Sequence, residues 1–180
     1  FRVIAPAYPA FNIYSRIAKG TTALGPLCVA TAVSGMSGWD VEVIDENNFR
    51  KLGPKNPDGR PDHGTLQAIR RADVVGLYGG LSSTIPRLEE LVSFYRESGV
   101  TTIVGGQHFV GENIRTALER GVDYVVIGEG EETIRELLAA IRGGGDPGDI
   151  AGIAFMRDGQ VVMTAEREPI TDFDALPLPD

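Results

Sequence analysis

Three short stretches gather the residues best equipped to meet a ligand: Gly79, Gly80, Leu81, Ser82, Ser83 and Thr84 in the first, Gly105, Gly106, Gln107 and His108 in the second, and Gly128, Glu129, Gly130 and Glu131 in the third. Hydroxyls, a carboxamide, an imidazole and two carboxylates supply hydrogen-bonding groups. The glycines beside them remove side chains, so that a flat or nucleotide-like molecule can approach the backbone closely. One such glycine is ordinarily a turn residue needing a positive backbone angle. Three clusters, each directly after an apolar run, favour a broad binding groove instead. A fourth stretch, residues 6–25, is apolar and aromatic and carries Tyr8 near its start.

Weighed singly, these groups differ in promise. His108 is the better ligand-bonding candidate of the two histidines, because binding residues concentrate on loops of this kind. His63, in Pro61-Asp62-His63-Gly64, reads as a solvated loop residue beside Asp62, a helix cap. Glu129 and Glu131 could be an acid–base pair, but carboxylates at a helix start more often stabilise its positive dipole end. No catalytic or metal-ligating residue is assigned. Cys28 is the only cysteine, which excludes an intrachain disulfide, a cysteine-based zinc site and an iron–sulfur cluster held by this chain. It reads as an inert core thiol.

These stretches need elements to hold them. Runs rich in Val and Ile at residues 3–4, 41–44, 74–77, 101–104 and 124–127 read as buried parallel strands. Between them, Ile85, Leu88, Leu91, Val92 and Tyr95, then Val110, Ile114, Ala117 and Leu118, then Ile134, Leu137, Leu138 and Ile141 recur at helical spacing. The first helix is predicted to start near Gly25-Pro26 and to bury Val29, Val33 and Met36, and Gly99, Gly121 and Gly143 are expected stop residues. The alternation predicts an α/β fold, a flavodoxin-like doubly wound parallel sheet of order 2-1-3-4-5, because each parallel pair needs a right-handed helical crossover. In such sheets ligands bind beyond the carboxyl ends of the strands, where the glycine stretches fall. Residues 52–64 form a turn-rich surface loop before a short helix at 65–71. Residues 150–156 and 160–164 flank Asp158-Gly159, a hairpin signal that predicts a C-terminal β-hairpin extension of the sheet. The chain therefore divides into an α/β domain at 1–145, the hairpin at 146–169 and a proline-spaced linker at 170–180.

Composition narrows the partners. Seventeen Lys plus Arg against 25 Asp plus Glu give a formal charge of −8, which argues against nucleic acid and against anionic membrane surfaces. No apolar run approaches the ~20 residues of a membrane span, and no secretory signal opens the chain, so a cytoplasmic protein is expected. Three common tenants of the fold are excluded by motif. Ala5-Pro6-Ala7-Tyr8 lacks the dinucleotide fingerprint, Gly-Lys of a phosphate loop is absent, and Pro6, Gly79 and Gly128 stand where a phosphoacceptor receiver needs its carboxylates and lysine.

One ordered series of segments remains: Leu24-Gly25-Pro26-Leu27, Val41-Glu42-Val43-Ile44-Asp45, Asp73-Val74-Val75-Gly76-Leu77, Gly105-Gly106-Gln107-His108, the run from Asp123 through Gly128-Glu129-Gly130-Glu131, and the terminal Asp174-Ala175-Leu176-Pro177-Leu178-Pro179. Over nearly the whole chain it resembles the N-terminal cobalamin (vitamin B12)-binding domain of radical S-adenosylmethionine enzymes. The resemblance implies a corrin ring on the carboxyl edge of the sheet and a nucleotide tail between sheet and helices, lined by the three glycine turns. Tyr78 followed by Gly79-Gly80 stands where many relatives place a serine. The D-x-H-x-x-G motif that coordinates cobalt in other cobalamin proteins is absent, so binding without a histidine ligand below cobalt is expected.

The resemblance further implies a parent enzyme that transfers a methyl group or performs related radical chemistry, with its iron–sulfur cluster and S-adenosylmethionine held by a following domain and no activity in these residues alone. The opening at Phe1, directly before a strand at Arg2-Val3-Ile4-Ala5, and the proline-spaced tail fit a chain cut from such a parent. Two rivals stand beside this reading. One is a docking or dimerisation scaffold of the same architecture that does not bind cobalamin. The other is an independent enzyme on a small nucleotide-like substrate, with His108 and Glu129 as acid and base.

Overall fold

Val and Ile crowd the central strands because both faces of a parallel sheet are covered by helices. The computed structural model describes residues 1–49, 53–172 and 177–179. Its strands are β1 (Arg2–Ala5), β2 (Glu42–Asp45), β3 (Val74–Tyr78), β4 (Thr101–Gly105), β5 (Tyr124–Val126), β6 (Ile153–Arg157) and β7 (Gln160–Met163). They form one sheet of order β2-β1-β3-β4-β5-β6-β7. The first five are parallel, β3 registering Gly76 on Ile103 and Tyr78 on Gly105 of β4. The β6–β7 hairpin continues the sheet antiparallel from β5. Asp158 and Gly159 at its tip have φ of 51° and 77°, the left-handed pair that a two-residue hairpin turn requires. Fold class and strand order are thus as the sequence predicts.

The helices are α1 (Tyr14–Ile17), α2 (Leu24–Ser34), α3 (His63–Ile69), α4 (Ile85–Glu97), α5 (Glu112–Glu119) and α6 (Glu131–Gly143). Alternation along each strand divides the core in two. Ile4, Val75, Leu77, Val104 and Val125 point to one face and pack with Leu88, Leu91 and Tyr95 of α4 and Ile114 and Leu118 of α5. Val3, Val74, Ile103 and Val126 point to the other and pack with Ala30 and Val33 of α2 and Ile134, Leu137 and Leu138 of α6. Among the described residues, no helix is long and apolar enough to cross a membrane.

Several local expectations are corrected. In α2 Val33 is buried, but Val29 and Met36 are half-buried and Met36 lies past the helix end. Val110 precedes α5 and is exposed rather than part of its apolar stripe. Gly143 is the last residue of α6, and the left-handed stop is Gly144, at φ 73°. The short helix begins at His63, two residues before the predicted start, because Asp62 caps it by accepting from the Thr65 N–H at 3.0 Å. Of the turn-rich loop, Leu52 lies outside the described residues, as do Phe173 and Leu176 of the proline-spaced tail.

His63 itself is the largest correction. It is 5% exposed, not solvated. Its Nδ1 lies 2.8 Å from the Tyr95 hydroxyl and its Nε2 3.1 Å from Glu46 Oε1. Arg87 donates to the same carboxylate at 2.7 Å, and the Ala7 N–H donates to its other oxygen at 2.8 Å. Fully buried Arg2 completes the network, donating to Glu42 at 2.8 Å, Gln67 and the Tyr95 hydroxyl at 2.9 Å and the Arg70 carbonyl at 2.6 Å. Burial pushes the Glu46 carboxyl up, but the His63 and Arg87 bonds outweigh it and hold the group at about 2.

Candidate functional site

On the α2/α6 face the strands lose their side chains toward the carboxyl edge. β3 presents Val74, Gly76 and Tyr78 there, and β4 presents Ile103 and Gly105. Gly105 leaves its strand bare there, whereas the Phe1 ring covers Gly76, where a Cβ would meet it at 2.9 Å. The result is a cleft of about 270 Å³ between sheet and helices, walled by Val3, Ile103 and Val126 from the strands, Pro26 and Val29 from α2 and Ile134 from α6. A side chain on Gly105 would enter it, meeting only Val126 at an ordinary 3.5 Å.

Seven of the residues expected to bind a ligand border this cleft: Gly105, Gly106, Gln107, Gly128, Glu129, Gly130 and Glu131. Gly106 is required by the backbone. Its φ is 111°, and a Cβ there would lie 2.8 Å from the Gly79 carbonyl oxygen. That close approach joins the β3 and β4 turns, which are bonded from Gly79 N–H to the Gly105 carbonyl at 2.8 Å and from His108 N–H to the Gly79 carbonyl at 2.9 Å. Glu131 opens α6, in the dipole-stabilising position. The Glu129 carboxylate accepts from the Ile170 N–H at 2.5 Å.

Tyr8, Gly80, Leu81 and Thr84 border a second hollow of about 200 Å³, higher on the edge, together with Asp45, Asn47 and Leu24. The Tyr8 N–H is held by Asn47 Oδ1 at 2.9 Å. Burial, and after it the neighbouring Tyr78 and Asp45, push its phenol above the ordinary value. Gly79, Ser82, Ser83 and His108 border neither space. Gly79 is buried against the Phe109 ring. Ser83 Oγ accepts from Asn12 Nδ2 at 2.9 Å. His108 has Nδ1 3.0 Å from Ser82 Oγ and faces a shallow recess beside Leu88 and Asn113. His108 and Glu129 therefore do not share a chamber. Cys28 on α2 is half-buried, and burial followed by the nearby Glu131 carboxylate pushes its thiol up, which disfavours the reactive thiolate.

The apolar walls were not anticipated residue by residue. Val3, Val29 and Ile134 read as ordinary core positions, Pro26 as a helix-start residue, and Phe1 carried no reading of its own. Gly76 did carry a signal, a glycine inside the run Val74-Val75-Gly76-Leu77.

The model of the B12 binding domain family matches residues 15–138. The anaerobic magnesium-protoporphyrin IX monomethyl ester cyclase of Synechocystis sp. is 35% identical over 179 residues, covering 96% of this chain and 34% of the cyclase. The chain thus spans about a third of that curated relative's length. Among solved structures, the radical S-adenosylmethionine methyltransferase TsrM from Kitasatospora setae, with cobalamin and a 4Fe-4S cluster bound, is similar at TM-score 0.66 and 19% identity over 98% of this chain and 30% of that one. The cobalamin-dependent S-adenosylmethionine radical enzyme OxsB, with aqua-cobalamin bound, is similar at TM-score 0.74 and 16% identity over 99% of this chain and 23% of that one. Both likenesses are of fold.

Proposed function

The chain belongs to the B12-binding domain family, and on that premise we propose that it binds cobalamin with the corrin ring over the carboxyl edge of the sheet and the nucleotide tail in the α2/α6 cleft. One observation carries this reading: the open apolar cleft lies directly under the glycine turns, on the face where β4 presents Gly105. A flat macrocycle with a slender tail needs that combination of a bare edge and a narrow slot. Gly105 and Gly106, the Gln107 carboxamide and the turn at residues 128–131 would line the tail, while Tyr8, Gly80, Leu81 and Thr84 would meet the ring's periphery. Cobalamin would supply the cobalt chemistry, and these residues would bind and orient it.

Binding in this domain would leave cobalt without an imidazole from the chain, since the D-x-H-x-x-G motif is absent. Both ring nitrogens of His63 are engaged in the core, and His108 borders a recess separate from the cleft with its Nδ1 3.0 Å from Ser82 Oγ. In the parent enzyme the cluster and S-adenosylmethionine would belong to a further domain, joined through residues 170–180, where the Ile170 bond to Glu129 holds the start of the connector beside the cleft. Incubation with hydroxocobalamin, desalting and an absorption spectrum test the reading. A retained corrinoid band at stoichiometric yield is expected, and its absence would remove the proposal. Electron paramagnetic resonance of the reduced cob(II)alamin complex should lack nitrogen splitting from a protein imidazole.

A scaffold role has one observation in its favour. Phe11 is 90% exposed and Ile13 70%, with Ile17 and Leu24 beside them in sequence, an apolar stretch suited to contact with another protein surface. Sedimentation velocity separates the two readings, since a scaffold self-associates or docks without any corrinoid.

A further inference from the structure

Tyr78 ends β3 with its side chain on the cleft face, and it is the one residue bordering both the α2/α6 cleft and the upper hollow. Glycines from three different elements surround its ring. A Cβ on Gly25 of α2 would lie 3.5 Å from it, one on Gly106 3.0 Å, and one on Gly80 2.5 Å. No hydrogen bond among the described residues holds its hydroxyl, although the Tyr8 phenol is near enough to be perturbed by it. The ring is half-buried. It therefore stands between the two chambers, packed against glycine backbone and with no polar tether among the described residues.

We infer that Tyr78 is a gate that decides whether a corrinoid's nucleotide tail can pass from the upper hollow into the cleft. The inference rests on the binding reading above and deepens it, because it assigns a selectivity between corrinoids with and without a tail. A ligand confined to the upper edge leaves the ring in place. A ligand that spans both chambers binds only when the ring has moved aside, and its apparent affinity falls by the fraction of time the gate is open.

The test compares dissociation constants of hydroxocobalamin and of dicyanocobinamide, a corrinoid lacking the nucleotide tail, for the wild-type chain, Tyr78→Val and Tyr78→Phe, by absorbance titration. Valine suits a strand end and removes the ring, whereas phenylalanine keeps the ring without the hydroxyl. Tyr78→Val should tighten hydroxocobalamin about tenfold, as for a gate open roughly a tenth of the time, and change dicyanocobinamide less than about twofold. Tyr78→Phe should behave as wild type with both. Equal shifts for the two corrinoids, or weaker hydroxocobalamin binding by the valine variant, would overturn the gate while leaving the binding reading intact. Retention of neither corrinoid by any of the three proteins would overturn the binding reading itself. Should Tyr78→Val melt well below wild type, Tyr78→Leu carries the same expectation with more of the lost volume refilled.

Discussion

On the face of the sheet covered by α3, α4 and α5, β1 contributes Arg2, and the polar groups gathered there are bonded to one another through Tyr95, His63, Glu46 and Arg87. On the face covered by α2 and α6, the Phe1 ring lies over Gly76 of β3, β4 contributes the bare Gly105, and an apolar cleft stays open. The contrast shows how one sheet can carry a face closed on itself and a face left open. Buried charges are tolerable only when fully paired, so the first face is committed to itself. The second leaves apolar surface uncovered, a cost that a ligand can offset by burial.

Substitutions that open the closed face should have the largest effects. Arg2→Ala leaves Glu42 and the Tyr95 hydroxyl short of their buried donor and should cost about 3–5 kcal/mol in urea unfolding. A loss below about 1 kcal/mol would mean that the network contributes little.

Acid should act on the same face. Glu46 is held at about 2, against 4.5 for the free group. Its contribution is therefore complete above pH 4.5 and is lost as pH falls from 4.5 toward 2, a span on the order of 3 kcal/mol. Thermal midpoints measured from pH 6 to pH 3 should fall, and Glu46→Gln should flatten that slope while starting less stable at pH 6.

The turn joining the two faces comes next. Gly106→Val sets a β-branched side chain at φ 111° against the Gly79 carbonyl and should cost roughly 2–3 kcal/mol. Any loss of corrinoid binding in this variant follows the distorted turn. The smallest stability change is expected at Gly105→Val, where the added atoms enter the cleft with ordinary contacts. Unfolding free energy should stay within about 1 kcal/mol of wild type, while hydroxocobalamin retention is lost. Retention by a folded Gly105→Val chain would move the tail out of this cleft and sharpen the contrast elsewhere.

Much of this arrangement is legible in the chain. The valine-rich runs and their helical interludes predict the strand order, because crossover handedness allows few alternatives. Asp158-Gly159 predicts its hairpin because few other residue pairs accept two positive φ angles. The glycine stretches fall at the carboxyl edge of the sheet, as their positions directly after the valine-rich runs predict. His63 shows the boundary of such reasoning. Its neighbours Pro61, Asp62 and Gly64 are all turn formers, and nothing local announces burial. Its partners Tyr95 and Glu46 lie 32 and 17 residues away.

What the sequence determined by itself is therefore whatever depends on local backbone preference and on the period of apolar residues: the strands, the helices, the turns and the edge they share. What only the tertiary structure decided is which groups meet. Arg2 became a core residue because α3 and α4 bring it acceptors, Gly106 proved to be confined by a carbonyl from the neighbouring turn, and Tyr78 came to stand between two chambers because glycines on three separate elements converge around its ring. Such pairings cross many residues of chain, and a one-dimensional pattern carries no record of distance between elements until the sheet has set their order and spacing.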